Sequence, residues 1–291
     1  SYAFRAGGVA CRLVSDGGFP MDPAQILGKT PTPEELERAR REAFLDRAEV
    51  PGHVNTLLVE AEGRRMLVDT GCGSGFGPST GRLLDHLRAA GVEPESIDLV
   101  LITHLHPDHA GGLLTPAGAG VFPNATFLLS EAEREFWSRG EPDLSKTGVP
   151  EEFRRNLVGM ARAALDAMNG RLETVRGGER IDGFAAVEIV DAPGHTPGHA
   201  ALRVGEGDDR LLYVTDAVHV QPLQFPNPDW HVAYDADPER AVRTRREILS
   251  RAAESRERIS GAHLPFPALA HVRREGRGFG YVPVVWEWAA E

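Results

Sequence analysis

Within six residues, His104-Leu105-His106-Pro107-Asp108-His109 sets three imidazoles beside one carboxylate. Neutral imidazole and carboxylate together suit zinc and other borderline divalent ions, so no cysteine is required. Pro107, with Gly111 and Gly112 close behind, favours a tight turn in which neighbouring side chains converge instead of alternating across a strand. Four donors from one loop cannot satisfy two cations. Further donors stand at comparable places: His195 in Asp191-Ala192-Pro193-Gly194-His195-Thr196-Pro197-Gly198-His199, Asp216 after the apolar run 211–215, and His263 after 259–262. Each follows a run of strand length, where a β scaffold presents side chains to a shared edge. The pattern predicts a metal centre; the plain alternative is a polar loop of solvated histidines.

These donors need rigid elements behind them. Residues 99–103 form a continuous apolar run, which predicts a strand buried on both faces that leads straight into His104. Further strands are expected at 9–14, 55–60, 65–69, 126–129, 186–190, 200–204, 211–215 and 281–286, with 61–64 as a hairpin loop. Helices are expected at 33–48, opened by Pro33 with Glu34 and Glu35 in its first turn, and at 80–90, ended by Gly91. Others are expected at 131–139, 151–169 and 238–255. No internal repeat and no linker-like stretch divides the chain. The expectation is α/β: one domain over 1–291, two sheets with helices outside.

Composition narrows the function classes. The chain has 291 residues, 32 basic against 43 acidic side chains and a net charge of −11, which excludes binding nucleic acid by broad phosphate neutralisation. Two cysteines make no disulfide framework, and no apolar run is long enough for a membrane span. The chain opens SYAFRAGG, without a basic and apolar leader. A cytoplasmic protein is expected, while a leader removed before this numbering would leave a secreted or periplasmic one open. The glycine-rich segment 71–77 precedes a helix but lacks the Lys-Ser/Thr ending of a phosphate loop and the acidic partner of a dinucleotide site.

The order LVDTG, THLHPDHAGG, APGHTPGH, VTDAVH and GAHLPFP resembles the metallo-β-lactamase superfamily of binuclear metallohydrolases, over about 53–271. More narrowly, FGPSTGRL at 76–83, VFPNAT at 121–126 and QFPNP look like the methyl parathion hydrolase branch, which also holds lactone- and ester-hydrolysing relatives. The resemblance implies an αββα sandwich of two mixed sheets flanked by helices. It implies two divalent cations, zinc foremost: one held by His104, His106 and His195, a second by Asp108, His109 and His263, with Asp216 bridging. It further implies hydrolysis by a metal-bridging hydroxide, with Asp108 or Asp216 orienting it and accepting its proton. The substrates implied are small neutral esters, lactones or organophosphates. None of Tyr2, Tyr213, Tyr234 and Tyr281 announces itself as the acid for a leaving group.

Around this core the resemblance makes Asp69 an orienting carboxylate, against a turn-capping role. His199 reads as a structural histidine close behind the site, and His53, His219 and His271 as neighbours of it, whereas His86 and His231 read as surface or packing residues. Phe76, Trp137, Phe153, Leu223 and Phe225 are candidates for an aromatic substrate pocket, with Phe136 beside them; core packing is the competing reading. Residues 1–50 are expected as an N-terminal extension, whose charged helix is either a solvated face, a lid or a homodimer contact.

Competing functions are weighed on the same residues. A thioesterase resembling glyoxalase II lacks its basic C-terminal region here. A true β-lactamase is disfavoured by the Asp216 bridge, and a flavodiiron protein by His106 where those carry Glu. A catalytically inactive metal-binding homologue is disfavoured because all seven expected ligands are present.

Overall fold

Strict alternation of apolar side chains sets the first sheet. The computed structural model describes residues 1–28 and 30–285. Its first sheet runs β1 (Tyr2–Ala6), β2 (Val9–Met21), β3 (Val50–Ala61), β4 (Arg64–Val68), β5 (Leu99–Ile102), β6 (Thr126–Ser130) and β7 (Leu172–Val175), paired in that order. The ladders are antiparallel as far as β4 and parallel from β4 to β7. Leu57, Val59, Met66, Val68, Leu99 and Leu101 point to one face, and Leu58, Leu67, Val100 and Ile102 to the other. A two-residue period with both faces apolar is what a sheet covered on both sides requires.

The second sheet contains β8 (Arg180–Ile181), β9 (Phe184–Asp191), β10 (Ala200–Val204), β11 (Leu211–Tyr213), β12 (Arg258–Ser260), β13 (Ala270–Glu275) and β14 (Gly278–Pro283). Only the β11–β12 ladder among these is parallel. Val187, Ile189, Leu202, Val204, Leu211 and Tyr213 meet the inner face of the first sheet, forming the central core.

Helices close both outer faces. The eight are α1 (Pro23–Ile26), α2 (Pro33–Glu42), α3 (Leu83–Ala89), α4 (Pro107–Ala110), α5 (Glu131–Ser138), α6 (Glu151–Met168), α7 (Gln221–Gln224) and α8 (Pro238–Ser255), counted among the described residues. Leu83 and Leu87 of α3, Trp137 of α5 and Leu157, Ala161 and Met168 of α6 cover the first sheet. Ile248, Leu249 and Ala252 of α8 cover the second. The layers are therefore helix, sheet, sheet, helix, as expected. Among the described residues no helix is long and apolar enough to cross a membrane.

Some boundaries differ from expectation for local reasons. The helix expected at 33–48 begins in a capping box between Thr32 and Glu35 but stops at Glu42, where Phe44 takes φ +55° and turns the chain. Residues 2–6 and 9–21 of the expected extension are strands of the first sheet, so that of the described residues beyond Met21 only 22–28 and 30–49 lie outside it before β3. Residues 9–14 extend to Met21 because β2 continues past a bulge at Ser15/Gly17 alongside β3. The strand expected at 281–286 is seen as β14, and Trp286 lies outside the described residues.

Leu202 has no solvent exposure between the sheets. Leu202→Ala is expected to cost about 2–5 kcal/mol of unfolding free energy through the cavity it leaves, measured by denaturant titration. A loss below about 1 kcal/mol, outside the range for a rigid core position, would contradict the packing described.

Candidate metal centre

Five strand ends deliver the site. β4 runs into Asp69, β5 into Thr103 and His104, β9 into the loop of His195, β11 into the turn of Asp216, and β12 into the loop of His263. β6 leads into α5, whose role is with the loops beneath. His106, Asp108 and His109 sit at the start of α4, a single turn opened by Pro107, which draws them onto one side.

Asp216 lies at the centre. Its Oδ2 is 3.2 Å from His263 Nε2, 3.3 Å from His195 Nε2, 3.1 Å from His219 Nε2 and 3.7 Å from His104 Nε2. Its Oδ1 is 3.0 Å from His109 Nε2. Asp108 Oδ2 reaches His263 Nε2 at 3.4 Å, and His106 Nδ1 lies 2.8 Å from His195 Nε2. The ligating atoms of His104, His106 and His195 lie within 4.8 Å of one another, as do those of Asp108, His109 and His263. Asp216 makes a third such group with His104 and His109, joining the two triads.

The outward nitrogens of these rings are tied down. His109 Nδ1 donates to Asp69 Oδ2 at 2.8 Å, while Thr103 gives Asp69 its backbone N–H at 2.8 Å and its hydroxyl at 2.9 Å. His195 Nδ1 donates to Asp235 Oδ1 at 2.8 Å, and His263 Nδ1 to the His53 carbonyl at 2.7 Å. Such bonds fix tautomer and ring orientation, leaving the other nitrogen as an acceptor aimed inward. Asp69 is thus placed against His109, where an orienting carboxylate would stand. Asp235 holds the same place beside His195; its signal in the sequence was only an Asp in a loop, with no strand before it.

His199 stays behind the site. Its Nδ1 donates to the Ala192 carbonyl at 2.8 Å, and its Nε2 meets the Thr215 hydroxyl and the Asp216 backbone N–H. Thr215 takes φ +47°, a strained conformation for a β-branched residue. His199 and the Ala200 carbonyl hold the Thr215 side chain, and that turn aims Asp216 inward.

Charge and burial make the cluster unlike an ordinary polar interior. Burial would raise the Asp216 carboxyl, but His109, His263, His219 and His104 hold it well below the usual carboxylate range. Burial opposes protonation of His109, yet Asp216, Asp69 and Asp108 hold it well above the normal histidine value, and Asp216 and Asp108 raise His263 similarly. His104, His106 and His195 are pushed well below it by burial and by neighbouring imidazoles. One triad is thus kept neutral and the other sits among carboxylates. His104 Nε2, His106 Nε2, His109 Nε2 and Asp216 Oδ1 are buried without a hydrogen-bond partner. Several buried, convergent and unpartnered acceptors form a donor set that fits divalent cations.

An apolar cleft opens onto this cluster. Phe19, Met21, Ile26, Phe76, Phe153, Leu157 and Tyr234 line it, with His106, Asp108, His195, Asp216, His219 and His263 at its floor. Phe76 and Phe153 stand where expected. Trp137, Leu223 and Phe225 do not. Trp137 is fully buried under His106, its indole N–H on Glu133; Leu223 packs with Met21, Leu27 and Trp230; Phe225 belongs to the core beneath α8. These three fill cores, as large apolar residues usually do. Phe19, Met21 and Ile26 were missed because the N-terminal segment carries no motif. Of the tyrosines, Tyr234 lines the cleft, whereas the buried Tyr213 donates to the Asn55 carbonyl at 2.7 Å. His219, read from sequence only as a neighbour, stacks on His263 with centroids 5.0 Å apart. His271 lies elsewhere, bonded to the Arg256 carbonyl.

The sequence profile of the metallo-beta-lactamase superfamily matches residues 50–263. The chain belongs to this superfamily. Metallo-beta-lactamase relatives include an N-acyl homoserine lactonase of Bacillus sp, 29% identical over 157 residues, which are 54% of this chain and 52% of that protein. The chain spans about half the length of the curated relatives it matches. Among solved structures, AidC, a dizinc quorum-quenching lactonase bound to its product N-hexanoyl-L-homoserine, superposes with a TM-score of 0.92 at 27% identity, over 98% of each chain. The hydrolase AbOPH superposes with a TM-score of 0.88 at 29% identity, again over 98% of each.

If Asp69 orients His109, Asp69→Ala should weaken zinc binding about 10–100-fold, read by competition with a chromophoric chelator. Wild-type affinity in a folded Asp69→Ala protein would leave Asp69 as a turn residue only.

Proposed function

We propose that the protein is a dizinc hydrolase that opens the ring ester of small neutral lactones, N-acyl homoserine lactones foremost. In this reading His104, His106 and His195 hold one zinc ion, Asp108, His109 and His263 the other, and Asp216 both. The observation that carries it is an apolar cleft set directly over the Asp216 cluster. A lactone head with an acyl tail has the matching division of polarity. The whole-chain likeness to AidC supports the same substrate class.

Bound in that donor set, the two ions supply Lewis acidity, polarising the ester carbonyl and bringing water ionisation near neutral pH. The chain's own groups do the rest. Asp108, partly open to the cleft, orients the attacking water and receives its proton. Water oxygen bonds to the carbonyl carbon, the ring C–O bond breaks, and the departing alkoxide takes up the proton held on Asp108. Phe153 and Tyr234, with ring centroids 5.8 Å apart, form one wall for the acyl tail; Phe19 and Phe76, 5.6 Å apart, form another. These walls exclude water from the ester while leaving nothing to pair with a charged substrate.

A second reading keeps the same site and replaces the lactone by an activated phosphotriester. The segments at 76–83, 121–126 and 221–228 that resemble methyl parathion hydrolase favour it.

The zinc-loaded protein is expected to hydrolyse N-hexanoyl-L-homoserine lactone with higher kcat/KM than paraoxon or a β-lactam, followed by proton release or chromogenic product. Preference for paraoxon would select the second reading, and activity on none would remove both. Asp108→Asn should lower kcat by about 10²–10⁴-fold. Phe153→Ala should raise KM, more for longer acyl chains, by about threefold to tenfold, with kcat little changed. An equal effect on all chain lengths would place the tail elsewhere.

A further inference from the structure

The carboxylate of Glu133 on α5 has no exposure to solvent and is not among the groups facing the cleft. It accepts four hydrogen bonds. Oε1 takes the Leu105 backbone N–H at 3.0 Å and the Trp137 indole N–H at 2.6 Å. Oε2 takes the Thr196 hydroxyl at 2.6 Å and the Gly198 backbone N–H at 3.1 Å. One oxygen therefore serves the loop of His104 and His106, and the other serves the loop of His195. Those loops come from different sheets, after β5 and β9.

Four further contacts make this junction tight. Ser130 caps α5 through the Glu133 N–H at 3.1 Å and donates its hydroxyl to the Gly198 carbonyl at 2.6 Å. Gly198 approaches so closely that a Cβ there would lie 2.0 Å from the Glu133 nitrogen. Trp137, bonded to the same carboxylate, stands edge-on to His106 with ring centroids 6.1 Å apart. A buried carboxylate with four donors is costly to disturb, because each donor it releases is left unpaired in the interior.

We propose that Glu133 is a positioning residue that clasps the two loops carrying His104, His106 and His195, and so sets the zinc affinity of that triad without touching metal or substrate. The Asp108, His109 and His263 triad is held by other means, through Asp69 and the His53 carbonyl. Asp108 and His109 share the loop of His104 and His106, but His109 and His263 keep these supports of their own, so the larger effect falls on the His104, His106 and His195 half. This inference rests on the two-cation reading above.

The full chain, stripped with a chelator, is titrated with zinc against a chromophoric competitor to give two successive dissociation constants. His106→Ala and His263→Ala identify which step belongs to which triad. Glu133→Gln keeps the side-chain volume but presents an amide N–H to donors, and is expected to weaken the step lost in His106→Ala about 10–100-fold. The step lost in His263→Ala should weaken by a clearly smaller factor. Thr196→Val, which removes one donor, should weaken the same step by less, and Glu135→Gln, on the exposed side of the same helix, should weaken neither. Equal weakening of both steps, or none, in Glu133→Gln would overturn the clasp; if that variant does not fold, no change in Thr196→Val would do so. Uptake of fewer than two zinc ions by the wild-type chain would overturn the two-cation reading itself.

Discussion

A carboxylate that is 2% exposed and surrounded by five imidazoles is the constraint on which this molecule is organised. Burying Asp216 as an anion is costly unless positive charge lies within a few ångströms. Histidines can supply that charge only by protonating, and two of the five, His104 and His195, are pushed towards the neutral form by burial, as is His106 beside them. A pair of divalent cations held in this donor set would resolve the conflict, neutralising Asp216 and Asp108 and satisfying the inward ring nitrogens. The surrounding structure serves to keep those donors aimed at one place before any cation arrives.

That aim comes from the sandwich. Two sheets pack face to face through an apolar core that includes Leu57 and Tyr213, and their strand ends meet at one edge. Because the donors come from both sheets, their separation depends on sheet packing and on a few cross-links at that edge. Asp69 ties β4 to the Thr103 turn and to His109. Asp235 ties His195 to the loop of Val232, and Glu133 ties the loops of the two sheets to each other. Buried carboxylates with several donors recur in all three roles. The strained φ of Thr215 and the close approach at Gly198 show backbone shape subordinated to the same aim.

Much of this was legible in the sequence, for identifiable reasons. The seven side chains that the resemblance singled out converge here, and the sequence marked them because they stand in short loops that follow strand-length apolar runs, a local signal. Helix α8 at Pro238–Ser255 and strand β10 at Ala200–Val204 matched expectation to the residue, since capping and periodicity are also local. What escaped depends on contacts between distant segments. Asp235 and Glu133 look like ordinary acidic residues of a loop and a helix until tertiary contacts bring His195, 40 positions from Asp235, and Leu105, 28 from Glu133, against them. The same holds for Trp137, Leu223 and Phe225, since an aromatic or aliphatic residue near a motif can face either the cleft or the core. Phe19 and Met21 reach the cleft only because β2 runs past its bulge along β3.

The central claim is that these side chains form a two-cation centre joined by Asp216. Anomalous diffraction from crystals of the zinc-loaded protein, recorded on both sides of the zinc absorption edge, tests it most directly. The account predicts two zinc peaks, one among His104, His106 and His195 and one among Asp108, His109 and His263, each within bonding distance of Asp216. A single peak, or zinc density away from Asp216, would contradict it.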